Sequence, residues 1–273
     1  MSDELRQYAR RSIRLKGYDY RGDSLQKLFE IQSLIGDIHP FLNRTFPVAI
    51  VEGGQFLIFD TDSSGTRYIF VKQAPTPMPI PQGVRAAFPL ECYGGKAACV
   101  VTGDVFDLLE GYVTIFHEFI HCGQYEACEV KLKQSLGIAR QAQAENDFMW
   151  ELEYPFPYDA PRFNQLYLTL MEALERDQTG PVVEFHRQLK QILTTGEFEY
   201  MVWQEWKEGF ARYIENRIRR RLELEENHRG REAPYTRVSF YEGGSKLVEF
   251  LEKQEPGLIN DIETLFDRMI GKS

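Results

Sequence analysis

The chain has 273 residues, of which 43% are hydrophobic, 13% aromatic and 27% charged. That composition supports a large buried core and excludes a disordered or low-complexity protein. With 41 acidic and 32 basic residues the net charge is −9, the wrong sign for a nucleic-acid binder. No apolar run approaches the roughly 20 residues needed to span a bilayer, so no membrane partner is expected.

In chain order, residues 3–16 and 23–36 are predicted helices. The second carries Leu25, Leu28, Phe29, Ile31, Leu34 and Ile35 at helical spacing and stops at Gly36 and His39-Pro40. Residues 48–51, 55–59 and 68–71 are β-rich and separated by Glu52-Gly53-Gly54 and by the turn-forming stretch 60–65, which predicts a meander. Pro75, Pro77, Pro79 and Pro81 make 74–83 an extended loop. Two more strands are predicted over 86–90 and 97–102, joined through Gly94-Gly95. A helix follows from about 107. The rest reads as helical, with breaks at Pro155 to Pro161, Gly180-Pro181, Gly196, residues 227–235 and Pro256-Gly257. The order is helices, a mostly antiparallel sheet, the 107–125 helix and an all-helical C-terminal half, which is α+β. Residues 1–125 and 126–273 are expected to be two lobes of one unit.

Cys92, Cys99, Cys122 and Cys128 form neither a Cys-x-x-Cys pair nor a regular framework. Met1-Ser2-Asp3-Glu4-Leu5-Arg6 is charged and lacks an apolar stretch. A cytoplasmic location with reduced thiols is the expectation. The basic run Arg217-Ile218-Arg219-Arg220-Arg221 is interleaved with Glu215, Glu223, Glu225 and Glu226, the pattern of a solvated, salt-bridged helix face.

Residues 117 to 121 read His117-Glu118-Phe119-Ile120-His121. Two imidazoles four residues apart share one face of an α-helix, so both can reach one Zn²⁺. Glu118, next to the first of them, can take a proton from a metal-bound water. The surrounding residues Val113, Ile115, Phe116, Phe119 and Ile120 are apolar. Polar groups buried among them need a partner, and a metal with its water supplies one.

Catalytic zinc takes three protein ligands and keeps one position for water. Of the remaining histidines, His39 precedes a proline, His186 lies on an amphipathic helix and His228 sits in a polar loop; none has a second feature in its favour. Cys122 points off the metal face. A better candidate lies in residues 203–215. There Glu208, Ala211, Arg212 and Glu215 share a helix face, and the small residues Gly209 and Ala211 allow the close helix approach that a short glutamate needs. Glu205, one turn earlier, is the alternative ligand. Glu205 and Glu215 are also placed to orient the ligand imidazoles.

His-Glu-x-x-His followed by Glu208-Gly209-Phe210-Ala211-Arg212-Tyr213-Ile214-Glu215 resembles the gluzincin metallopeptidases, the thermolysin and aminopeptidase-N type enzymes. The resemblance implies a zincin-like fold, Zn²⁺ as cofactor, His117, His121 and Glu208 as its ligands, Glu118 as general base and a peptide or protein as substrate. Tyr241-Glu242-Gly243-Gly244-Ser245 is similar to a stretch of the aminopeptidase-N type family in which the tyrosine hydroxyl stabilises the oxyanion, which implies that role for Tyr241. The other reading of Tyr241 is a buried aromatic at a helix start. The strand over 97–102 is expected to be the edge that pairs with an extended peptide. Two further readings stand beside the peptidase: a zinc hydrolase of small amides or esters, and a zincin-like binding protein without turnover. The aromatic group Phe148, Trp150, Tyr154, Phe156 and Tyr158 is expected to be a core cluster more than a cleft lining.

Overall fold

The computed structural model describes residues 20–272, so the helix expected over 3–16 lies outside the described residues. The chain divides into two units. One comprises residues up to Glu126 together with Arg217–Glu225; the other comprises Ala127–Asn216 with Glu226–Ser273.

In the first unit, α1 (Tyr20–Ile35) buries Leu25, Leu28, Ile31 and Ile35, a stripe spaced three and four residues apart. It packs on β3 of the sheet and ends at the tight turn Gly36–Ile38. The sheet has five strands: β1 (Val48–Glu52), β2 (Gln55–Thr61), β3 (Tyr68–Pro75), β4 (Arg85–Leu90) and β5 (Lys96–Thr102), in the order β3-β2-β1-β5-β4. Gly53 and Gly54, at φ 56° and 73°, take the left-handed conformation that a two-residue hairpin turn favours.

The expected meander holds for β1 to β3, which pair antiparallel. The chain then returns so that β5 lies parallel to β1, with β4 antiparallel outside it. Strand 97–102 is therefore not the edge; β4 is. The physical reason is visible in the residues. Ala97 to Thr102 are all buried, an unbroken apolar run of the kind a central strand requires. Pro89 sits on β4, and proline is tolerated where its missing N–H faces no neighbour. Cys99 donates its N–H to Pro47, on the β1 side. Its partner Ala87 on β4 therefore turns its N–H and C=O away from β5. By the same alternation Arg85, Ala87 and Pro89 face the edge, on which no further strand pairs among the described residues.

Helix α2 (Leu109–Gln124) packs against β4 and β5. Every residue from Ile115 to Gln124 is buried. Gly123 lets the Phe41 ring close on the helix, since a Cβ there would lie 2.5 Å from a ring carbon.

The regular elements of the second unit's described residues are all helical, as expected. It contains α3 (Val130–Ser135), α4 (Gly137–Glu145), α5 (Trp150–Glu153), α6 (Pro161–Glu175), α7 (Thr179–Ile192), α8 (Thr195–Gln204), α9 (Phe210–Arg221), α10 (Arg237–Gln254) and α11 (Ile262–Ile270). The last turn of α9 is counted with the first unit. Gly180-Pro181 and Gly196 lie in the first turns of α7 and α8, so they mark starts, where proline costs no hydrogen bond. Phe156 packs on Phe163, Tyr200 and Phe240, and Trp150 on Trp203. Trp150 and Phe156 are thus core, Tyr154 and Tyr158 are half-buried, and Phe148 is exposed.

Two five-residue π-turns, Tyr125–Glu129 and Glu205–Gly209, interrupt the helical ladders. The second carries a close helix crossing at Gly209, but with α10 and not with the histidine helix for which the small residues Gly209 and Ala211 were expected to make room. A Cβ on Gly209 would lie 2.5 Å from the Gly244 Cα, and one on Gly244 would lie 2.2 Å from the Glu205 carbonyl oxygen. Among the described residues no helix is long and apolar enough to cross a membrane.

Candidate metal centre

On α2 the four-residue spacing does what helix geometry requires. The His117 and His121 rings lie 4.8 Å apart at 77°, with their Nε2 atoms 3.1 Å from each other. Both are buried, as is Glu118 between them. Gln124 is fully buried, and its Oε1 stands 2.8 Å from His121 Nδ1. An amide oxygen only accepts, so His121 carries its proton on Nδ1 and presents the Nε2 lone pair. A hydrogen bond on the far nitrogen is the usual way an imidazole is held for metal binding. Gln124 was not singled out from the sequence, although its spacing from His121 (i, i+3 on one helix) offered the signal. The Glu118 charge reaches the Cys99 thiol on β5 and, after burial itself, helps push that thiol well above its ordinary value.

In the second unit, Glu205 and Glu208 both lie in the π-turn but in unlike surroundings. Glu205 is buried, accepts a hydrogen bond of 3.0 Å from the Tyr167 hydroxyl, and lies under Gly244. Burial pushes its carboxyl up to about 8, against the smaller opposing effect of that hydrogen bond. Without a metal it is mostly a neutral acid at neutral pH. Glu208 is only half-buried. Glu205, expected as the alternative ligand and as an orienting group, is not in the group of donors that could hold a metal; its contacts are with Tyr167 and the α10 backbone. Glu215 stands 3.4 Å from Arg212 Nε and accepts from Asn227 at 3.1 Å, an anchor for the loop after α9.

Tyr241 lies on α10, one turn before the glycine crossing. Burial first, and the Glu208 charge second, push its phenol above the ordinary value, so the hydroxyl stays protonated and able to donate. Its oxygen accepts a short hydrogen bond from Arg237. His39 caps the Pro40–Asn43 turn by accepting from the Phe41 N–H. His186 packs on Phe198, and burial holds its imidazole down to about 4. His228 pairs with the buried Glu242 at 2.9 Å. These three histidines have structural engagements of their own.

Among the described residues one group has donors placed to hold a metal ion: His117, His121 and Glu208, whose ligand atoms all lie within 4.8 Å of one another. No family model, no curated protein and no solved structure matches the chain. What the centre does must be argued from its own geometry. Cys122 is not among the donors, and all four cysteines are free thiols.

Proposed function

We propose that the protein is a zinc-dependent metallopeptidase of the gluzincin kind, with a zincin-like catalytic core, in which His117, His121 and Glu208 hold Zn²⁺. The observation that carries this is the convergence of two imidazole nitrogens and one carboxylate within 4.8 Å of one another, with the buried Glu118 next to His117 in sequence. Two neutral imidazoles and a carboxylate are a donor set suited to Zn²⁺. Bonds of about 2.0–2.1 Å at the tetrahedral angle would set two imidazole nitrogens roughly 3.3 Å apart, and the histidine pair stands at 3.1 Å.

Zinc bound there supplies Lewis acidity and a water of lowered pKa. The chain does the rest. Gln124 holds the His121 tautomer. Glu118 takes the proton of the attacking water and hands it to the leaving amine. Tyr241, kept protonated, donates to the oxyanion. The substrate edge expected of strand 97–102 passes to β4, whose open N–H and C=O groups at Arg85 and Ala87 can pair with an extended peptide beside α2. An open strand edge next to the histidine helix favours a peptide over a small amide or ester.

Metal analysis of the purified protein, followed by cleavage of a peptide library with and without chelator, tests the reading. Glu118→Gln should keep one zinc per chain and slow peptide cleavage by roughly 10²- to 10⁴-fold. A variant that cleaves as fast as the wild type would sink the mechanism. Zinc bound with turnover of small amides alone would favour the small-substrate hydrolase. Zinc bound with no turnover at all would favour the binding protein.

A further inference from the structure

Arg237 is the first residue of α10 and is half-buried. Its guanidinium carbon lies 5.4 Å from the centroid of the Tyr241 ring, and one of its N–H groups donates to the Tyr241 hydroxyl. A guanidinium has five N–H donors, and among the described residues this is the one hydrogen bond that Arg237 makes. No carboxylate of the described residues comes within ion-pair distance of it, in a chain with 41 acidic residues.

Arg212 provides the internal comparison, since its guanidinium carbon lies 5.8 Å from the same ring. Arg212 is buried, stands 3.4 Å from Glu215 and donates to the carbonyls of Asn227 and Arg229. The part-buried Arg85 likewise has Asp104 at 2.6 Å. Arg237 alone of these three has no counter-charge. Its helix supplies none: the first turn of α10 contains no acid, and the start of a helix is itself the positive end. Leaving a half-buried cation without an anion is costly. Tyr241 itself lies one turn before Gly244, which packs on Gly209 beside Glu208, and its ring faces Arg212, one turn after Glu208.

We propose that Arg237 binds a carboxylate of the substrate lying within about one residue of the scissile bond. A planar guanidinium grips a carboxylate with two parallel N–H···O bonds. The carboxylate has two possible sources, the C-terminus of a short peptide or the side chain of an acidic residue. The inference rests on the metallopeptidase reading and adds substrate class to it. In the same position Arg237 occupies the acceptor side of the Tyr241 hydroxyl, which directs the phenol proton away from itself.

The test uses two zinc-chelating probes, acetohydroxamate and succinic monohydroxamate, which differ by a carboxylate. Their binding to the zinc-loaded protein is measured by calorimetry. Succinic monohydroxamate should bind wild type about tenfold or more tighter than acetohydroxamate, the gain of a charge-assisted hydrogen bond. Arg237→Gln should erase that gain while still binding acetohydroxamate, which also reports that the variant is folded and zinc-loaded. Arg237→Lys should keep part of it. Hydroxamates coupled to glycine as the free acid, or to aspartate α-amide, separate a chain-terminal carboxylate from a side-chain one. Equal affinity of the two simple probes in wild type, or a gain that persists in Arg237→Gln, overturns the proposal. Failure of acetohydroxamate itself to bind zinc-loaded wild type overturns the metal-centre reading instead, and this inference with it.

Discussion

Helix α2 and the π-turn between α8 and α9 each contribute donors to the same group, and they do so by different physics. On α2 the ladder is regular where the histidines sit. Spacing alone puts His117 and His121 on one face, and a residue of the same helix, Gln124, orients the second imidazole. In the π-turn two glutamates three residues apart have opposite fates. Glu205 is driven into the Gly209–Gly244 crossing and stays protonated, whereas Glu208 remains half-buried and joins the histidines. A regular helix lets neighbours in sequence define a site. A distorted one hands the decision to whatever packs against it.

The comparison breaks first at the two glutamates. Glu208→Ala should weaken zinc binding by more than about a hundredfold, since loss of an outer-sphere group alone costs 10–100-fold. Glu205→Gln should leave zinc affinity as it is. Competition with a chromophoric chelator reads both, and a loss of affinity in Glu205→Gln with Glu208→Ala unaffected would reverse their roles. On α2, Gln124→Ala should cost about 10–100-fold in zinc affinity with the secondary structure intact; unchanged affinity would mean that the His121 tautomer is set elsewhere.

The smallest effect concerns stability. The Glu205 carboxyl is raised in the folded protein from an ordinary 4.5 to about 8. The folded state therefore holds a proton that the unfolded state releases above pH about 4.5, and stability falls as pH rises through that window toward about 8. At roughly 1.4 kcal/mol per pKa unit this amounts to a few kcal/mol. Glu205→Gln, neutral at every pH, should flatten that part of the profile when thermal unfolding is followed from pH 4.5 to 8. A slope identical to wild type would show that Glu205 is ionised in the fold.

The strands, the helical second half and the helix of 117–121 were legible because each depends on neighbours in sequence: alternation, helical spacing, and glycine or proline at the turns. The parallel return of β5 was not, since pairing order depends on long-range packing, though the unbroken apolar run of 97–102 and Pro89 on β4 carried a signal. Gly209 announced a close helix approach, though not that its neighbour would be α10. Neither π-turn was legible, because a π-turn is a local defect that tertiary contacts stabilise.

At the centre the division is the same. His117, Glu118 and His121 follow from a four-residue repeat, which the backbone hydrogen-bond ladder enforces wherever a helix forms. The different surroundings of Glu205 and Glu208 follow from which of them is driven out of water at the helix crossing, and Arg237, two turns earlier on α10, has no acid within ion-pair distance among the described residues. Burial raises the carboxyl of one glutamate, and packing decides which acids come near Arg237 among the described residues; neither effect is a property of residue type or spacing.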